Sequence, residues 1–327
     1  MSVSLDLQHN YLPQDDLLEF VRTLFSDRNL VYEKIPVIQT GSADSVIYIF
    51  KLCRSNNQSD LPLILKVSPQ GRNASSFFRM NYATAPLIEM GVKLPKVYFA
   101  GSNLPLLGGS FILMEYLSGK SLLNYPVFLQ MDILGRSHAQ LHSIDCSPLI
   151  QNFIERRIDK GQYQGSLIIP KRLAYIAKSF SLLSAIVDWC LDRKFLWEDS
   201  VCICHGDYHS GNILTDKTQI SGILDWSFAL CNPCMDIAWT TLIIDLQDTG
   251  KHEYCGKQFQ ISNPATAYLN SYQCKKEIDI ERVSQCRVIA SVFGLYFHFS
   301  NWNDAFNRQS TRQKLSRYIY EHTAIQV

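Results

Sequence analysis

The sequence has no excess of either charge: 31 Lys and Arg stand against 30 Asp and Glu in 327 residues. Nucleic-acid-binding domains show a basic surplus or a basic stripe; neither is present, so no nucleic-acid partner is expected. No apolar run approaches the ~18 residues that a membrane-spanning helix needs, so no membrane partner is expected. The opening Met1-Ser2-Val3-Ser4-Leu5-Asp6-Leu7-Gln8 lacks a basic start leading into an apolar stretch, the mark of a secretory signal. The expectation is a cytoplasmic protein. Internal repeats and low-complexity segments are missing too. The 10 cysteines are scattered, without the density of a disulfide scaffold. Cys231-Asn232-Pro233-Cys234 has metal-like spacing, but no second pair follows at a zinc-site interval. Reduced thiols are expected.

What the chain does have is hydrophobic content, 46% of residues, enough to fill one large core or two lobes. Apolar positions recur at helical spacing over 15–26 behind an acidic start, predicting an amphipathic helix. Strand-like runs follow at 35–40, 46–52 and 61–67. A helical stretch at 74–90 contains Pro86, which is expected to kink or end it. Two further strands, 97–100 and 111–116, flank a turn rich in Gly, Pro and Asn. After Ser118-Gly119-Lys120 the pattern becomes helical, at 131–141, at 172–191 and from Met235 onward. The expected class is therefore α+β, a sheet-rich first third and a mostly helical remainder, with the boundary near Leu117.

The chemistry concentrates in His205-Gly206-Asp207-Tyr208-His209-Ser210-Gly211-Asn212 and in Ile223-Leu224-Asp225-Trp226. Between them, 213–220 reads as a strand, a polar turn and a return strand. Two carboxylates and an amide thus sit on a tight loop and on the hairpin behind it. Phosphoryl transfer from a metal–nucleotide uses that set: one carboxylate to take a hydroxyl proton, an oxygen ligand, and a second carboxylate for magnesium. Asp207 is the candidate base, with Asn212 and Asp225 as the candidate ligands of Mg2+. The Asp207-to-Asn212 interval equals the Asp-to-Asn interval of the protein-kinase catalytic loop.

These runs, with Asn232-Pro233-Cys234-Met235-Asp236-Ile237-Ala238-Trp239 after them, resemble the signature of the aminoglycoside phosphotransferase and choline kinase superfamily of small-molecule kinases. Phe111 to Leu117, followed by Gly119, resembles its interlobe hinge, and Ala139-Gln140-Leu141-His142 a helix end seen there. The likeness covers roughly 35–245. It implies a two-lobed protein-kinase-like fold, with an antiparallel-sheet nucleotide lobe (1–116) and a mostly helical catalytic and acceptor lobe (117–327). It also implies transfer of the γ-phosphate of ATP or GTP to a hydroxyl of a small-molecule acceptor. Lys66 would be the strand lysine on the nucleotide phosphates. It is preferred to Lys51 because Leu65 and Val67 flank it and an inward charge needs a reason. Gly41, Ser42 and Ser45, between two strands, would flap over the phosphates with backbone N–H groups. Glu115 and Tyr116 of the hinge would offer backbone groups to the purine. His205 and Asp236 are expected to support the loop, and Trp226 and Trp239 to pack behind the hairpin.

One departure stands out. Related kinases carry a glutamate on the helix after the lysine strand, whereas here the only acid between Val67 and Glu115 is Glu89. The alternative that follows is a nucleotide-binding pseudokinase serving as sensor or scaffold. For the acceptor, 155–178 holds Arg156, Arg157, Lys160, Lys171, Arg172 and Lys178 against Glu155 and Asp159, which leans against a strongly cationic molecule. The aromatic run 292–302 reads either as a core helix or as an acceptor wall for a neutral or quaternary-amine substrate.

Overall fold

The computed structural model describes residues 14–39, 45–54, 61–68, 75–104, 109–198, 201–216, 219–247, 252–254, 257–259, 263–301 and 304–327. The chain divides into two compact units, Met1–Ser118 and Gly119–Val327.

The first unit opens with α1 (Gln14–Phe25). Asp15 and Asp16 in its first turn and Arg22 in its last complement the helix dipole. Then come β1 (Leu30–Gln39), β2 (Val46–Arg54), β3 (Leu61–Ser68), α2 (Ser75–Glu89), β4 (Val97–Leu104) and β5 (Gly109–Glu115). The strands form one antiparallel sheet in the order β1-β2-β3-β5-β4. Alternation decides its faces. Tyr48, Phe50 and Leu52 of β2 join Leu63, Leu65 and Val67 of β3 in a core with Leu17 and Val21 of α1. Lys66, between two of these buried residues, belongs to the opposite face. Pro86 does not end α2, which runs on to Glu89 with Pro86 buried inside it. Packing of that helix face outweighs the one backbone hydrogen bond that proline cannot make.

The second unit contains β6 (Lys120–Ser121), α3 (Val127–Leu141), α4 (Ser147–Glu155), α5 (Gly165–Ser179), α6 (Ser184–Leu191) and α7 (Phe195–Glu198). The strands β7 (Cys202–Cys204), β8 (Ile213–Thr215), β9 (Ile220–Ile223) and β10 (Ala229–Cys231) follow. Next are α8 (Pro233–Leu246), β11 (His252–Tyr254), β12 (Lys257–Phe259), α9 (Pro264–Gln273), α10 (Ile280–Phe299), α11 (Asp304–Asn307) and α12 (Gln309–Thr323). The single helix expected over 172–191 is two. Phe180 adopts extended backbone and ends α5 before α6 starts. β8 and β9 form the expected hairpin, extended by β6 into a three-stranded sheet, while β7 pairs with β10. α3 packs on α9, and α8 on α10. The first contact needs Gly135, where a Cβ would lie 2.5 Å from the Tyr268 carbonyl oxygen.

Candidate active site

β7 delivers His205 at its end, and the chain turns at Gly206, whose φ of 83° is left-handed and favours glycine. Asp236, in the first turn of α8, fixes that turn. Its Oδ2 accepts the His205 N–H at 2.6 Å and its Oδ1 the Gly206 N–H at 2.8 Å. The Nε2 atoms of His138 and His142, both on or just beyond α3, reach Asp236 Oδ2 at 3.0 and 3.3 Å. Burial opposes the charge on Asp236, but its bonds to the two histidines outweigh this and hold the carboxyl well below the usual range. His138, desolvated, is lowered to about 4 and stays neutral. A buried carboxylate satisfied in this way is a rigid anchor for the loop.

His205 couples the two motifs. Its Nε2 pairs with the Leu224 carbonyl oxygen at 2.8 Å, and its Nδ1 accepts the Asp207 N–H at 3.1 Å. Its own carbonyl oxygen accepts the Ser227 N–H at 2.9 Å. Desolvation lowers the imidazole to about 4, so the neutral ring donates on one side and accepts on the other. Asn212 makes the second clamp. Its side-chain Nδ2 donates to the Asp207 carbonyl oxygen at 3.0 Å, and its backbone oxygen accepts the Leu224 N–H at 2.7 Å. The structure therefore brings Asp207, Asn212 and the segment carrying Asp225 together. Asp225 itself is exposed, at a φ of 53°, a left-handed conformation that Asp tolerates better than most residues.

The Asp207 carboxylate is held from several sides. Trp239 donates its indole N–H to Oδ1 at 2.9 Å, while the Asn212 amide and His209 Nε2 lie 3.4 and 3.6 Å from Oδ2. Burial would raise this carboxyl, yet His209, Trp239 and His205 together keep it below its ordinary value. The group is an anion with one lone-pair direction fixed by the indole. His209 is desolvated too, but Asp207 and then Asp225 favour its charge, and its basicity is raised.

The expected supporting roles of His205 and Asp236 have a clear geometric counterpart. Trp226 is buried and donates to the Ile223 carbonyl oxygen. Trp239 differs from expectation: half-buried, it touches the carboxylate directly. The sequence signal for it was only its place one helical turn beyond Asp236, and nothing in that spacing says where an indole N–H points. Cys231 and Cys234 donate to different carbonyl oxygens, those of Trp197 and Asp279. Neither belongs to a group of three or more ligating side chains among the described residues; the grouped donors are His142 with Cys202 and Cys204, and His138 with His142 and Asp236.

The nucleotide candidates of the first unit are placed separately. Gly41 and Ser42 lie outside the described residues. Ser45 is buried just ahead of β2. Lys66 is half-buried in β3, opposite Ile47 and Ile112. The competing Lys51 is paired with Glu33 at 2.8 Å. Glu115 donates its N–H to the Lys96 carbonyl oxygen and Tyr116 to that of Pro62, both at 2.9 Å. α2 carries no acid before its last residue, Glu89.

As to a metal, Asn212 commits its amide nitrogen to Asp207, so its oxygen is the atom left for a cation. With the Asp225 carboxylate it makes a hard-oxygen donor pair of the kind magnesium accepts alongside water and phosphate oxygens. By donor type, the two residues suit that ion.

A family model described as the phosphotransferase enzyme family matches residues 51–267. No curated protein sequence matches. Among solved structures, choline kinase from Cryptosporidium parvum Iowa II superposes with a TM-score of 0.56 at 11% identity, covering 95% of each chain. Macrolide 2'-phosphotransferase from Brachybacterium faecium gives 0.51 at 13% identity, covering 93% of this chain and 98% of that one. The GDP complex of wild-type aminoglycoside 2'-phosphotransferase-IIIa gives 0.53 at 14% identity, covering 95% and 99%. At such identities the likeness is one of fold: two-lobed and protein-kinase-like.

Proposed function

The chain belongs to the phosphotransferase enzyme family, and we propose that it moves the γ-phosphate of ATP or GTP to a hydroxyl of a small-molecule acceptor, with Mg2+. The observation that carries the reading is the clamp around Asp207: an ionised carboxylate, oriented by Trp239, on a loop pinned to the Asp225 segment through His205 and Asn212. Phosphoryl transfer asks a protein mainly for positioning and electrostatics, and a pinned loop supplies the first.

In this reading Asp207 receives the acceptor's hydroxyl proton through Oδ2, the oxygen not bonded to the indole. Asn212 and Asp225 would hold magnesium, which when bound neutralises charge on the nucleotide phosphates. Lys66 would add a point charge on those phosphates. Ser45 and the segment containing Gly41 and Ser42 would cover them, and Glu115 and Tyr116 would border the purine. The GDP complex of a structural neighbour makes GTP a donor to be tried beside ATP. Nothing in the family match favours the pseudokinase alternative, which rested on the missing helix glutamate alone.

The test is a magnesium titration of nucleotide turnover. Asp225→Ala is expected to raise the magnesium needed for half-maximal rate by about tenfold or more, the loss of one charge-bearing ligand. A titration curve unchanged from the parent would remove Asp225 from the metal site.

A further inference from the structure

We propose that the acceptor carries an oxyanion, a carboxylate or a phosphate ester, beside the hydroxyl that is phosphorylated, and that Arg172 is the residue that selects it. The inference rests on the phosphotransferase reading above. Arg172 lies on α5, with its guanidinium over two rings of α10, 4.4 Å from the Phe293 centroid and 5.2 Å from that of Phe297. Phe297 meets Trp239 edge-on at 5.9 Å, and Trp239 is bonded to Asp207. Two ring contacts and one hydrogen bond therefore link the guanidinium to the carboxylate that would take the acceptor's proton. Desolvation opposes the Arg172 charge, while Tyr296 and Asp207 favour it; a guanidinium stays protonated in either case.

This arrangement decides between the readings of the aromatic run. From Val283 to Leu295 α10 is largely core, whereas Tyr296, Phe297, His298 and Phe299 are only half-buried. Two of these rings are already engaged by protein cations, Phe297 by Arg172 and Phe299 by Arg312 at 5.4 Å, and Tyr296 packs edge-on against Tyr175 and Phe180. A quaternary amine would have to share the first two with charges of its own sign. α5 carries Lys171, Arg172 and Lys178 and no acid, and α10 from Val288 to Phe299 carries neither Asp nor Glu. The two helices themselves offer a cationic acceptor no counter-charge here. An oxyanion meets a planar donor fork that can grip it with two parallel hydrogen bonds.

The experiment uses the full chain with Mg-ATP and a matched acceptor series in which charge is the main variable: glycerate, glycerol 3-phosphate, glycerol and choline. The parent should favour one or both oxyanion members over glycerol and choline, and which of the two it favours separates carboxylate from phosphate. Arg172→Gln should lower the oxyanion-to-glycerol ratio of kcat/KM by about 10- to 100-fold, through KM, as loss of a charge-assisted pair implies; Arg172→Lys should recover part of it. A packing role alone would lower every member alike and leave the ratio unmoved, which would overturn the proposal, as would choline as the best acceptor. Should none of the four be phosphorylated, the same compounds are titrated by calorimetry. Oxyanion binding to the parent that is lost in Arg172→Gln supports the assignment, and absent or unaltered binding overturns it. Parent protein that neither hydrolyses Mg-ATP nor transfers its phosphate counts against the phosphotransferase reading instead, and the calorimetric arm still decides on Arg172.

Discussion

Trp239 gives its indole N–H to Asp207 while its ring stacks on Phe306 and meets Phe297, so Trp239→Phe separates the two roles. The phenyl ring keeps the packing and drops the hydrogen bond. A bond to a charged group is worth ~1.5–3 kcal/mol, so a fall in kcat/KM of about 10- to 150-fold is expected. The pH profile should move with it. Burial raises Asp207 and the indole is one of the groups opposing it, so without the indole the carboxyl titrates at higher pH and the acid limb shifts upward. An unmoved limb would mean the indole does not tune the base. Asp207, Asn212 and Asp225 were legible as a set because their types and intervals are local in the chain. Trp239 was not, because its contact depends on how α8 rotates against the loop. The same holds for His138, which reaches Asp236 from α3.

At the scale of elements, α3, β7 and α8 meet around one buried carboxylate, and two of the buried histidines there, His138 and His205, make stability depend on pH with a definite sign. His138 and His205 are both lowered to about 4 by burial, whereas unfolded histidine titrates near ~6.5. Above that value neither state binds the proton, and the stability is fully present. As pH falls towards about 4 only the unfolded chain takes up protons, so stability is lost at ~1.4 kcal/mol per pH unit for each histidine, ~2–3 for the two together. Denaturant midpoints at about pH 6 and about pH 5, below the range where the raised His209 takes its proton, measure this slope, and equal free energies at the two would contradict it. Periodicity made most of these elements readable: α1, the strands β2, β3 and β5, and the β8–β9 hairpin lie where the apolar pattern puts them. It failed where tertiary contacts decide. Phe180 splits a helical run, Pro86 fails to end one, and β7 finds β10 across the whole β8–β9 hairpin, a pairing that no local pattern encodes.

Over the whole molecule, the order of a strand-rich unit followed by a helical one was readable because runs of strand-like period dominate up to residue 116 and helical ones after Gly119. The acceptor region proposed above was not readable, since it draws on α5 and α10, which lie far apart in sequence, and Arg172 of α5 lies across the aromatic run of α10. Everything proposed for this protein depends on phosphate transfer with Asp207 as the base. The measurement closest to that chemistry is transfer of labelled γ-phosphate from Mg-ATP to a panel of hydroxyl compounds by the parent and by Asp207→Asn. Asparagine keeps the size of the side chain and removes the proton acceptor, so transfer should fall by ~10²-fold or more in a protein with the parent's circular dichroism. Transfer at the parent's rate by Asp207→Asn would contradict the account.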